Sequence, residues 1–141
     1  MKKLFPLFMF FLGQTAFSET GWKTVDDMRW DAKTAFKLDS NRVKFFYDSP
    51  FREEQKRYAI KEGFFSPEVA SRIAYERWGM VVDCKTAEYG VFSFVYLKVD
   101  GSPVAPADTV DISVFGMQSI DPETKMETLM NDVCKFFGLH K

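Results

Sequence analysis

Trp78-Gly79-Met80-Val81-Val82-Asp83-Cys84 alternates so that Trp78, Met80, Val82 and Cys84 fall on one face of an extended strand. Five residues on, the run 89–99 is apolar on both faces, as a central strand is, and it ends in the turn Asp100-Gly101-Ser102-Pro103. Strict alternation puts Phe92, Phe94 and Tyr96 on one face and Val91, Val95 and Leu97 on the other, with core packing as the expected role of both sets. Upstream, two alternating runs, 34–38 and 42–47, are joined by Asp39-Ser40-Asn41 and read as a hairpin. A short strand is expected at 22–25. A half-exposed strand is expected at 109–115, where Val110, Ile112 and Val114 alternate with Thr109, Asp111 and Ser113.

One helix is announced near the C-terminus. Asp121 is placed to cap it, Pro122 to open it, and Glu123 to sit at the positive end of its dipole. It is expected to run to about residue 137 and stop at Gly138, with Met126, Met130, Cys134 and Phe137 in one stripe. Between 48 and 76 the pattern weakens. Pro50, Gly63 and Pro67 punctuate a mixed-charge run at 52–57, and Ser66-Pro67-Glu68 fits the start of a short helix carrying Val69, Ile73 and Ala74. An irregular or extended crossing fits this segment equally well. The elements add up to an α+β domain: an antiparallel, meander-like sheet with a C-terminal α-helix packed on one face.

The chain begins Met1-Lys2-Lys3, continues through an apolar stretch at 4–12 and reaches the small-x-small site Ala16-Phe17-Ser18. That is the layout of a signal peptide, residues 1–18, cleaved to leave a single domain at 19–141. Nine apolar residues are too few to span a hydrocarbon core, which needs about 20. The expectation is export to the periplasm or the cell surface. No cysteine lies at or just after the cleavage site, so a lipoprotein cysteine is missing. Loss of Lys2 and Lys3 leaves 17 basic against 20 acidic residues, moving the net charge from −1 to −3. Basic and acidic residues are interspersed throughout, which argues against a nucleic-acid partner and a polybasic membrane patch.

Two cysteines in an exported chain, fifty residues apart, allow one internal bridge, between Cys84 and Cys134. Each lies on the apolar face of its element, so a disulfide pins the C-terminal helix to the sheet. A redox or nucleophilic cysteine wants a CxxC motif or a nearby base, and the lone histidine, His140, belongs to the tail.

Catalytic patterns are absent: no GxSxG, no HExxH and no GxxxxGK occurs. Asp83, Glu88, Asp108 and Asp111 are acids on or beside strands, where solvation is their ordinary role. The expectation is a protein that is not an enzyme, with no catalytic, metal or cofactor-binding residues and no cofactor. The aromatic residues whose burial the pattern does not demand are Phe51, the pair Phe64-Phe65, and Phe115. Two of them exposed side by side would form an apolar patch of the sort that marks an interaction site.

Gly21-Trp22-Lys23-Thr24-Val25, Val81-Val82-Asp83-Cys84, the Tyr89 strand with its Asp100-Gly101 turn, and Ile120-Asp121-Pro122-Glu123-Thr124 leading to Val133-Cys134 together resemble the surface-adhesin protein E family of Gram-negative bacteria. The similarity extends over roughly residues 22–138, carried by the order and spacing of short motifs around the two cysteines. It implies a small antiparallel sheet with a C-terminal helix tied to it by the Cys84–Cys134 bridge. It also implies a surface protein that binds host proteins and promotes adhesion, so the expected partner is a protein, a host surface or matrix protein among the candidates. The sequence departs from that family in lacking the anchoring cysteine, and its binding segment carries over to no residues here. A soluble periplasmic accessory or inhibitor-like domain, acting within the envelope, is the alternative.

Overall fold

The computed structural model describes residues 21–104, 108–109 and 116–139. Among them, one antiparallel sheet contains β1 (Trp22–Val25), β2 (Met28–Asp31), β3 (Phe36–Lys37), β4 (Arg42–Pro50), β5 (Tyr75–Asp83), β6 (Glu88–Leu97), β7 (Asp108–Thr109) and β8 (Gln118–Ser119). The order is β1-β2-β4-β5-β6-β7, with β3 also on β4 and β8 also on β6. Three helices complete the chain: α1 (Glu53–Lys61) and α2 (Pro67–Arg72) in the β4–β5 connection, and α3 (Lys125–Phe136) at the end. The fold is the α+β arrangement expected from the periodicity, and the 22–25 strand and the hairpin at β3–β4 are both formed. Of the strand expected at 109–115, only Thr109 is described, as part of β7; the remainder, His140 and residues 1–18, expected to be a signal peptide, lie outside the described residues.

One sheet face is the core. Cross-strand partners share a face, and the register Trp30↔Tyr47↔Trp78 sets Trp30, Phe45, Tyr47, Met80 and Val82 toward α3. They pack with Leu129, Met130, Val133 and Cys134 of the helix, and the Cys84–Cys134 disulfide closes this layer with Cα atoms 5.8 Å apart. Trp30, fully buried, donates from Nε1 to Asp132 Oδ2 on α3 at 2.8 Å, so the indole N–H is satisfied within the apolar layer.

The expected start of α3 is corrected by three residues. Asp121-Pro122-Glu123 forms a turn in which Glu123 takes φ 63°, a left-handed conformation that cannot belong to the helix. Thr124 is the N-cap instead, its hydroxyl accepting from the Glu127 N–H at 3.3 Å, while the Glu127 carboxylate accepts from the Glu123 N–H at 2.8 Å. The far end is as expected, with Gly138 at φ 72° just beyond the last turn.

The face assignment along β6 is corrected as well. Gly79 pairs with Ser93 but Met80 pairs with Val91, so Phe92 is an extra residue, a β-bulge. Past it the parity flips: Val91 and Phe94 stand on the same face, opposite Met80 and Trp78. Phe92 lies on the other face against Phe46, 5.3 Å between ring centres. A Cβ at Gly79 would stand 2.5 Å from its ring, so glycine there makes room for the bulged side chain.

The connection 48–76, which the sequence left open, is helical at both steps. Arg52 opens α1, its backbone N–H donating to Gln55 Oε1 at 2.7 Å, and Ser66 caps α2 by accepting from Val69 N at 3.2 Å. A second small core of Phe51, Ala59 and Ile73, with Phe65, Val69, Tyr96 and Val104 against it, seats this pair of helices at the end of the sheet. Asp27, in the β1–β2 turn, receives both the Arg52 guanidinium and Lys125 Nζ, tying α1 and α3 to one sheet corner. These two partners hold its carboxyl below the usual carboxylate range.

Candidate functional site: an aromatic groove beside α1

The acids considered from sequence are not brought together. Asp83 Oδ1 accepts from the backbone N–H groups of Lys85 and Thr86 at 2.9 and 3.0 Å, closing the β5–β6 turn. Glu88 accepts from the Thr86 hydroxyl. Asp108 falls in β7, and Asp111 lies outside the described residues. The buried acid is one that sequence reasoning passed over. Asp48, 1 % exposed, lies on the sheet face opposite α3 between its register neighbours Arg29 and Arg77. It accepts from Arg29 at 3.1 and 3.0 Å and from Arg77 at 2.7 and 2.9 Å. Both guanidinium groups also lie over the Trp22 ring, 4.5 and 5.0 Å from its centre, and Asp48 raises the pKa of Arg77. Its lone pairs are committed to two cations, which suits a structural knot. Among the described residues no group of three His, Cys, Asp or Glu is placed to hold a metal, and no helix is long and apolar enough to cross a membrane.

The notable surface feature is built by α1 and the turn that follows it. Glu54, Gln55, Tyr58 and Ala59 form one face of α1, at i, i+1, i+4 and i+5. Gly63, at φ 80°, reverses the chain, so the N–H of Phe64 donates to the Ala59 carbonyl at 2.9 Å. The reversal folds Phe64 and Phe65 back along the helix. Phe65 turns inward onto Tyr96, 5.1 Å away ring to ring, and onto Phe51 at 6.5 Å. Phe64 turns outward beside Tyr58, at 6.2 Å. The result is an open groove of about 470 Å³ with Phe51, Phe65 and Tyr96 among its walls and Tyr58 and Phe64 as its exposed pair.

Of the aromatic candidates read from sequence, the structure brings Phe51, Phe64 and Phe65 together. Phe64 is 66 % exposed, Phe65 half-buried and Phe51 buried, while Phe115 lies outside the described residues. Tyr58, 60 % exposed, was missed. It sits in a charged stretch, and only its spacing of four from Glu54 and one from Ala59 on a formed helix would have revealed it.

Gln55 connects the groove to the sheet: its amide donates to Glu76 on β5 at 3.4 Å while its oxygen holds the Arg52 N–H. Glu76 is more than half buried, and that burial raises its pKa, with Gln55 opposing in part. A carboxyl whose folded pKa is raised stabilises the fold fully at low pH and loses that contribution as pH rises through its folded pKa. Glu76→Gln is therefore expected to raise the melting temperature at neutral pH. The gain should vanish near the ordinary glutamate pKa of about 4.3, and paired melts at the two pH values check it. Equal gains at both pH values would contradict the burial account.

No protein-family model matches the chain, and no curated protein does. Solved structures of Haemophilus influenzae protein E do. Crystal form II superposes with a TM-score of 0.61 at 12 % identity, covering 84 % of this chain and 91 % of that one. A second structure of the same protein gives 0.57 at 13 % identity over 84 % and 87 %, and a selenomethionine form gives 0.55 at 12 % over 82 % and 87 %. This chain thus shares the fold of Haemophilus influenzae protein E.

Proposed function

We propose that this chain is an exported, non-enzymatic protein-binding domain that contacts its partner through the aromatic groove beside α1, in the manner of an adhesin that engages host proteins. The observation that carries the reading is the Tyr58–Phe64 pair, two large aromatic side chains left in solvent at the mouth of an apolar groove. Aromatic anchors over a pocket are what dominates protein-interface energetics, and an isolated domain gains nothing from exposing them together. The fold shared with protein E supports the adhesin reading, and the commitment of Asp48 to two arginines supports the absence of catalysis.

A second reading, a soluble accessory domain within the envelope, draws support from the cysteines. Both are spent in the disulfide, so neither can carry a lipid. Protease shaving of intact cells, with a periplasmic protein as leakage control, separates the two locations. Function is tested by binding of the purified mature domain to a panel of host matrix and serum proteins, comparing wild type with Phe64→Ser. The variant is expected to lose at least about tenfold in affinity. Its stability should change by no more than about 0.5 kcal/mol, as for an exposed position. Unaltered affinity would remove the groove from the contact surface.

A further inference from the structure

The groove has a charge preference as well as an apolar one. Glu54 is the one ionic residue among its lining, and it makes none of the ion pairs formed among the described residues. Apart from the tyrosine hydroxyls, the remaining polar lining group is the Gln55 amide, which already bonds Arg52 and Glu76. Of the basic residues of the same helix, Lys56 and Arg57 line a separate hollow with Glu53, where Lys56 pairs with Glu53, and Lys61, in the last turn, is not part of the groove's lining. An incoming group therefore meets aromatic rings, whose faces carry partial negative charge, and one free carboxylate at the rim. At about 470 Å³ the groove falls within the roughly 300–1,000 Å³ of sites that enclose a drug-sized ligand, room for a long side chain together with an apolar neighbour.

We propose that the groove takes a lysine or arginine side chain flanked by apolar residues, presented on an exposed segment of the partner protein. The alkyl stem and the apolar neighbour cover the rings of Phe51, Phe65 and Tyr96. The cationic head lies over Tyr58 or Phe64 and pairs with Glu54. This rests on the reading of the groove as a protein-contact surface and adds to it the chemistry of what is contacted.

The test is a titration of the ¹⁵N-labelled mature domain with three short capped peptides, Leu-Arg-Leu, Leu-Glu-Leu and Ser-Arg-Ser, following the backbone amides of Ala59, Phe64 and Phe65 by NMR. The Leu-Arg-Leu peptide is expected to shift these signals saturably in the millimolar range, with the Leu-Glu-Leu peptide roughly tenfold weaker, because attraction at Glu54 becomes repulsion. Glu54→Gln, at an exposed position without an ion pair, should reduce that preference severalfold and leave the spectrum otherwise unchanged. Equal binding of the first two peptides would overturn the charge assignment while leaving the groove as a contact surface. Equal binding of Ser-Arg-Ser would overturn the apolar requirement. No shift with any peptide would overturn the proposal outright, whereas the Phe64→Ser comparison decides separately whether the groove contacts proteins.

Discussion

Replacing Trp30 with alanine is expected to destabilise the domain by about 4 kcal/mol, the largest loss at any single core position. Trp30 has no solvent exposure. It stands edge-on to Phe45 and to Phe136, with ring centres 6.1 and 5.4 Å away, so it is the contact through which β2 holds α3. Truncation leaves a cavity bounded by two rigid elements, one of them fixed by the disulfide, so collapse into the space is limited. It also strips Asp132 of its indole partner. Urea denaturation followed by circular dichroism measures the loss, and Trp30→Phe separates its parts. Phenylalanine keeps most of the volume and removes the N–H, for an expected cost of about 1–2 kcal/mol. If Trp30→Ala cost under about 1.5 kcal/mol, Trp30 would not occupy the centre of this layer.

Breaking the bridge comes second. Cys84→Ser paired with Cys134→Ser is expected to cost about 4 kcal/mol, because the closed loop spans 50 residues and the unfolded chain regains the corresponding freedom. For a domain of this size that is a fall in melting temperature on the order of 15 °C. Both cysteines are buried in the main core, 4 % and 3 % exposed, so the serine hydroxyls add a desolvation cost of their own. Wild-type protein unfolded in the presence of a thiol reductant should show the same shift. An unchanged midpoint in both experiments would mean that the bridge contributes nothing to the fold.

Legibility followed the range of the interactions. The β5 face of Met80, Val82 and Cys84 was readable because a two-residue period needs no information from elsewhere, and the stop of α3 at Gly138 because a left-handed residue is a local demand. The β2 strand was invisible. Its four residues are too few to show a period, and its turn, Asp26-Asp27, lacks glycine, with Asp26 itself taking φ 56°. The start of α3 was misplaced because Asp121-Pro122-Glu123 and Thr124 offer competing caps. The positive φ at Glu123, held by its bond to Glu127, decides between them. The faces of β6 were misread because a bulge is set by the partner strand: Phe92 is displaced where Gly79 leaves space, thirteen residues earlier in the chain.

For the candidate site the division is similar. Sequence alone identified Phe51, Phe64 and Phe65 as aromatic residues without an assigned place, since nothing in their spacing required burial. Whether they met was a matter of tertiary structure. It took the formation of α1 in a stretch whose charges masked its pattern, the reversal at Gly63, and the arrival of Tyr96 from β6 to place one ring inward and one outward. What the sequence by itself determined is therefore the α+β class, the pairing of Cys84 with Cys134 and the likeness to the protein E family, because alternation, a single cysteine pair and the order of short motifs are properties of the chain. Only the tertiary structure decided the groove and the ion knot around Asp48, because both depend on which side chains separate elements bring within a few ångströms of one another.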